Sequence, residues 1–273
     1  MSFTRQRLAH ALLSAGLLAT CATAPFSVHA EEEPLATDRP DFVESSDVVG
    51  AGRFQIETSV AFERSKVDGT REKLRATPTL VRIGIGDTLE ARIETDGALY
   101  LRSTDENGLT TRDRGRADVS LGLKWHMQDG DETTGRPGIG WLLHVDTDSG
   151  SREFRGKGWR PSLRMVAEWE LPGGHSLGVM PGVFVEHDEA GRRYTGGIAA
   201  VVVGKSFTDR LRGFAEVSGQ QLTSRRHGGN VVTGDIGVAY LLTNSVQVDT
   251  AASWGMSKAA PDFGWTVGLS VRF

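Results

Sequence analysis

"WTVGLSVRF" (residues 265–273) decides how the rest of the chain is read. Side chains on an extended strand alternate between faces, so Phe263, Trp265, Val267, Leu269, Val271 and Phe273 share one side. Thr266, Gly268, Val271 and Phe273 also match the polar-x-Gly-x-x-apolar-x-aromatic pattern that closes outer-membrane barrels. A closing strand must pair with the first strand, and its terminal aromatic then lies at an interfacial girdle.

The same alternation runs back through the chain. In "RFQIETSVAFE" (53–63), Phe54, Ile56, Thr58, Val60 and Phe62 oppose Gln55, Glu57, Ser59 and Glu63. Leu89, Ala91 and Ile93 oppose Glu90, Arg92 and Glu94, and Val119, Leu121, Leu123 and Trp125 oppose Asp118, Ser120, Lys124 and His126. The alternation recurs over 141–146, 159–170, 177–185, 236–242 and 246–254, and weaker signals near 72–83, 193–205 and 210–221 bring the expectation to about twelve strands. Turn signals such as "DENG", "LPGG", "DEAGR" and "RRHGGN" separate them. A soluble sandwich and a membrane barrel share this alternation and differ in which face points inward. The closing pattern selects an all-β, antiparallel transmembrane β-barrel over residues 53–273.

Residues 1–30 read as a cleaved signal peptide. Arg5 and Arg7 form a positive start, "LLSAGLLATCATA" is a broken apolar stretch, and "VHA" ends in small residues at Ala30. Lipidation at Cys21 is the competing reading. Cleavage after Ala30 removes the sole cysteine, so neither a disulfide nor thiolate chemistry is expected of the mature protein. The 31 basic residues less Arg5 and Arg7 leave 29 against 35 acids, a formal charge of −6. That balance argues against a nucleic-acid partner. The expected location is the bacterial cell outer membrane, among its lipids, with barrel-assembly machinery as a folding partner.

Between leader and barrel, residues 31–52 form a pre-barrel segment on the periplasmic side. "ATDRPDFVESSDVVGAGRFQIETSVAFE" (36–63) resembles the start of the family named for the "Putative MetA-pathway of phenol degradation". The "TDRPD" opening and the Gly52, Gln55, Glu57 spacing carry the resemblance, whereas "GRADVSLGLKW" follows the family's next element only approximately. The resemblance implies an outer-membrane transporter or channel for small, aromatic or otherwise hydrophobic solutes. Thr37, Asp38, Arg39, Asp41 and Glu44 then become candidates for a plug in the lumen or at the periplasmic mouth. Arg39 would meet Glu57 or Glu94, and Asp38 and Asp41 would meet Arg75, Arg92 or Arg164. The plainer alternative is a solvated tail.

Twelve tilted strands enclose a backbone diameter of roughly 24 Å, and inward side chains reduce the bore to about 12 Å at best. Candidate lining residues are Glu57, Arg75, Glu90, Arg92, Glu94, Lys124, Arg160, Arg164 and Glu168. Their mixed charges either orient polar solutes or pair with one another to fill the bore. The second possibility leaves a non-conducting structural or lipid-hydrolysing barrel as the alternative function.

Chemistry-bearing motifs are thin. His144 and Asp146 with Ser149 and Ser151 are the best hydrolase constellation, yet the serines lie in a following loop. "DGDETTG" (129–135) lacks the glycine and final glutamate of an EF-hand. Arg225 and Arg226 are candidates for lipopolysaccharide phosphates if their turn is external. No enzyme activity, cofactor or metal is expected.

Overall fold

The structure, a computed structural model, describes residues 33–273 except Asp68 and Glu189. The leader expected over residues 1–30 lies outside the described residues. Fifteen strand segments follow one another: β1 Phe54–Val67, β2 Thr70–Ala76, β3 Thr79–Gly84, β4 Leu89–Thr95, β5 Ala98–Thr104, β6 Thr110–Arg116, β7 Val119–Gln128, β8 Gly138–Asp146, β9 Arg160–Leu171, β10 His175–His187, β11 Arg193–Ser206, β12 Leu211–Leu222, β13 Val231–Thr243, β14 Val246–Gly255 and β15 Phe263–Arg272. Three pairs of them, β2/β3, β4/β5 and β6/β7, are single staves interrupted near mid-height. The ring β1-β3-β4-β7-β8-β9-β10-β11-β12-β13-β14-β15 is therefore a closed antiparallel barrel of twelve strands.

Closure is made where the last strand's pattern required it. β15 pairs with β1 from Gln55↔Arg272 to Arg64↔Phe263. Phe54 and Phe273 exchange backbone hydrogen bonds of 3.2 and 2.7 Å at the foot of this seam. The seam also sets two aromatic levels: Phe54 against Phe273 at 5.9 Å, and Phe62 stacked on Trp265 at 5.6 Å. Eight residues of tilted strand separate them by roughly 20 Å, close to the height of a lipid-facing apolar band.

Burial is inverted relative to a soluble protein. Gln55, Glu57, Arg82, Glu90, Arg92, Lys124 and His144 are buried, while Val60, Ile93, Leu121, Trp125, Val201, Ile236 and Leu269 are exposed. A water-soluble sandwich would carry the opposite arrangement. The end of the barrel with the longer connections, 147–159, 223–230 and 256–262, is the extracellular end by the usual asymmetry of such barrels. The opposite end has tight turns at 172–174 and 244–245 and one longer connection, 129–137.

The interruptions align across three neighbouring staves, at Thr77–Pro78, Asp96–Gly97 and Ala117–Asp118. Hydrogen bonds still run between them, from Ser59 N to Pro78 O (2.9 Å), Thr77 N to Asp96 O (3.0 Å) and Ala117 N to Gly97 O (2.9 Å). Above this line β1, β2, β5 and β6 form a four-stranded flap. The loop after β8 is stitched to its free edge: Ser151 N donates to Arg116 O at 2.9 Å, and Gly150 N and Gly156 N donate to the Asp118 carboxylate at 2.7 Å. Gly97 sits on the fold line with φ +66°, and a Cβ there would lie 2.3 Å from Thr77 O. Gly97→Ala should therefore destabilise the refolded barrel by about 1–3 kcal/mol in a urea titration. Gly86→Ala, at a position open to solvent, should stay within about 0.5 kcal/mol of the parent.

Candidate functional site

Residues 33–52 enter the barrel from the periplasmic mouth and return to it. Leu35 N donates to Asn244 O at 2.8 Å in the β13–β14 turn, and Gly52 N donates to Gly84 O at 3.1 Å just before β1 begins. Between these ends lies the acidic, proline-broken motif, with Arg39–Pro40 in the cis form. Such a stretch cannot satisfy its backbone in a ladder, so its amide groups need other acceptors. Wall carboxylates provide them. Glu57 accepts from Asp38 N (3.0 Å), Glu216 from Phe42 N (2.7 Å) and Val43 N (3.2 Å), Glu168 from Ser46 N (2.5 Å), and Glu90 from Val49 N (3.0 Å).

The segment's own charges complete the arrangement. Asp38 accepts from Lys124 Nζ at 2.8 Å and from Arg92 Nη1 at 2.6 Å, with Arg82 Nη1 3.5 Å away. Glu44 bridges Arg92 Nη2 at 2.6 Å and Arg164 Nη1 at 2.7 Å. Asp41 takes both Arg212 guanidinium nitrogens, at 2.9 and 3.1 Å. Arg39 Nη2 reaches Asp249 and Thr266 at 3.1 Å each. Thr37 accepts from Gln247 Nε2 at 3.0 Å. Gly268 of the closing signal leaves room for Arg39, since a Cβ there would meet its Nε at 2.6 Å. The other two closing residues, Val271 and Phe273, serve the seam itself.

Burial pushes the Asp38 carboxyl up, but Arg82, Lys124 and Arg92 outweigh it and hold the group well below the usual carboxylate range. Glu44 is likewise lowered, with burial opposed chiefly by Arg92 and Arg164.

The structure gathers most of the residues expected to line the bore. Glu57, Glu90, Arg92 and Lys124 form one buried network with Asp38, and Arg164 and Glu168 hold the segment from the facing wall. Glu94 points inward but stays half exposed, 4.0 Å from His144. Arg160 lies higher, paired with Asp118 and Glu186 at 2.7 Å each. Arg75 stands apart: it is exposed on the outer face, over the Phe62 ring at 5.6 Å. The interruption at Thr77–Pro78 makes its stave harder to read, and even-numbered Ala76, Leu80 and Arg82 take the inward positions. Two expected pairings also change, because Arg39 meets Asp249 rather than Glu57 or Glu94, and Asp41 meets Arg212.

Arg82 is the network residue that sequence reading passed over. It is fully buried and contacts Glu90 Oε1 (2.9 Å), Glu57 Oε1 (3.1 Å) and the carbonyls of Ala36 (2.9 Å) and Asp47 (2.7 Å). A lone arginine inside the apolar run "TLVRIGIG" (79–86) was its available signal. The other side of the bore adds an apolar cluster to its anchoring charges. Leu142, Val166, Met180, Ala200, Val202 and Phe214 form a buried cluster with Val43, and Phe42 packs on it.

His144 and the serines do not assemble into a hydrolytic set in this arrangement. His144 Nε2 accepts from Arg92 Nε at 3.1 Å, while Ser149 Oγ and Ser151 Oγ accept from the backbone of Val119 and Arg116. In the 129–135 turn, Asp131 accepts from Thr133 and Thr134.

A closed antiparallel barrel, polar inside and apolar outside, defines a class, the outer-membrane β-barrel. The family model described as "Putative MetA-pathway of phenol degradation" matches residues 37–273, and the chain belongs to that family. Among solved structures, the COG4313 outer membrane channel from Pseudomonas putida F1 superposes with a TM-score of 0.62 at 11% identity, covering 84% of this chain and 98% of that one. The KdgM porin, solved in complex with disordered oligogalacturonate, gives 0.52 at 7% identity, covering 80% and 99%. No curated protein matches the chain.

Asp38→Asn leaves Arg82, Arg92 and Lys124 buried with one carboxylate fewer. It should weaken docking of the segment by about 3–5 kcal/mol, the usual cost of breaking a buried ion pair. Limited proteolysis of the refolded barrel should show faster cleavage within 33–50, whereas Asp47→Asn, at an exposed side chain, should cleave like the parent. Asp38 and Glu44 are lowered from ordinary values of 3.8 and 4.5. Their contribution is complete above those values and lost only as pH falls through the depressed folded values. The loss of protection caused by Asp38→Asn, read as parent minus variant, should therefore be the same at about pH 8 and about pH 5.5.

Proposed function

We propose that this protein is an outer-membrane channel for small, aromatic or otherwise hydrophobic solutes, and that residues 33–52 are its internal plug. The observation that carries this reading is the two-sided bore. One wall, on β1, β3, β4 and β7, is charged and holds the segment. The other, on β8 to β12, carries an apolar band between its anchoring Arg164, Glu168, Arg212 and Glu216, and Phe42 and Val43 cover that band. The apolar band gives a hydrophobic solute a surface to follow once Phe42 and Val43 move off it. Family membership supplies the solute class. Above the plug a cavity of about 210 Å³ is lined by residues that include Pro40, Phe42, Leu80, Glu94 and Arg164. At the periplasmic mouth another of about 530 Å³ reaches Leu35, Val43 and Leu211. These are the two chambers that the plug separates.

Single-channel recording in planar bilayers tests the proposal. The intact protein should conduct weakly, and deletion of residues 34–50 should raise unitary conductance severalfold. Phe42→Ala should lower phenol uptake into liposomes more than it changes ion current. A deletion variant that still shows heat-modifiable migration on a gel but never conducts would establish the non-conducting reading. The barrel is proposed to have no hydrolase activity: phospholipid hydrolysis should be at background in both the parent and His144→Ala.

A further inference from the structure

The outward face of the flap carries a lattice of like charges that the proposed solute path does not use. Register sets Arg64 opposite Lys73, Lys73 opposite Arg102, and Arg102 opposite Arg112. One step nearer the membrane, Phe62, Arg75, Tyr100 and Arg114 face one another in the same order. All six cations are exposed. Among the described residues, no carboxylate forms an ion pair with any of them. Of the acids of these strands, Glu57, Glu63 and Glu72 fall on the opposite face by alternation, with Glu72 bonding Ser103 at 3.1 Å, while Asp113 on the free edge strand reaches the lining of the groove beneath the row.

Like charges directly opposite across a ladder destabilise the sheet, so a row of four calls for an external counter-charge. Position says which kind. Arg64 lies ten residues beyond Phe54 along a tilted strand, roughly 25 Å higher, at the level of the outer headgroups. Beneath the row is an apolar floor. Val60, Phe62 and Tyr100, with cations from both rows, line an open groove of about 720 Å³. Arg75 lies over the Phe62 ring inside the groove, and Arg64 over the Phe263 ring at the end of the row outside it, each at 5.6 Å. A free anion would have no use for this floor, whereas a lipid would lay its acyl chains along it.

We propose that this groove binds the phosphorylated sugar headgroup of an outer-leaflet glycolipid. Phosphates sit on Lys73, Arg102 and Arg112 and the first acyl carbons lie over Phe62 and Tyr100. Arginine and lysine donate charge-assisted hydrogen bonds to phosphate, and the groove's opening to the membrane belt admits a headgroup whose chains remain in the bilayer.

Native mass spectrometry of the full chain in detergent, titrated with bis-phosphorylated lipid A, tests the assignment. The Lys73→Gln/Arg102→Gln/Arg112→Gln protein should lose about tenfold or more in affinity, as expected from removing charged hydrogen bonds. It should fold normally, since substitution relieves repulsion, and heat-modifiable migration checks this. Wild-type binding should also weaken as salt rises, a readout that needs no variant. Arg225→Gln/Arg226→Gln, on the turn between β12 and β13, should bind like wild type. Equal binding of dephosphorylated lipid A would overturn the proposal. So would full displacement of lipid A by millimolar inorganic phosphate, which would mark a free-anion site. Loss confined to the Arg225/Arg226 variant would move the lipid to that turn and equally overturn it.

Discussion

The bridge from Asp38 to Arg92 and Lys124 is the contact on which the interior depends. Three cations, Arg82, Arg92 and Lys124, are buried within one side of a narrow bore. Each would cost several kcal/mol if left there unpaired. The wall supplies Glu57 and Glu90, and the segment supplies Asp38 and Glu44. The wall carboxylates in turn accept backbone amides of the segment. Neither partner satisfies its polar groups alone, so the plug and the charged wall form one electrostatic unit. That reciprocity is why a chain segment without regular structure is buried in the middle of a barrel.

The same arrangement divides labour around the ring. The densest buried charge is on β1, β3, β4 and β7, while β8 to β12 combine anchoring charges with the apolar cluster of Leu142, Val166, Met180, Ala200, Val202 and Phe214. A uniformly charged bore would bind water and reject hydrophobic solutes, whereas a uniformly apolar one would give the plug no polar anchor. On the outside, the aligned breaks at Pro78, Gly97 and Asp118 set apart a flap. Its outer face above the girdle is basic because it has left the hydrocarbon.

Much of this was legible in the sequence, and the limits follow from geometry. Alternation in 54–63, 89–94 and 119–126 gave the inward faces, since a period of two needs no knowledge of neighbours. The closing pattern at 266–273 identified the seam. The motif at 37–44 suits no strand, since Pro40 lacks an amide hydrogen, and the family resemblance turned it from a solvated tail into a candidate plug. What stayed hidden required knowing which stave stands beside which. Asp41 reaches Arg212 and Arg39 reaches Asp249 from positions far away along the chain, and the order of strands around the ring selects these partners over Glu57 or Arg164. Arg75 and Arg82 share a stave, and the break at Thr77–Pro78 obscured their faces: Arg75 is outward, and Arg82 is the buried hub that an apolar run concealed.

The amide contacts of residues 38–49 have a mechanical consequence. Asp38, Phe42, Val43, Ser46 and Val49 fasten to Glu57, Glu216, Glu168 and Glu90, and Arg39 and Asp41 add Asp249 and Arg212. These anchors stand on β1, β4, β9, β12 and β14, spaced around the circumference. The segment thus works as a set of spokes on a short axle, bracing the cylinder against ovalisation under lateral bilayer pressure. Once it leaves, the hoop loses its internal bracing, so the roundness of the cross-section and the occupancy of its centre are a single mechanical property.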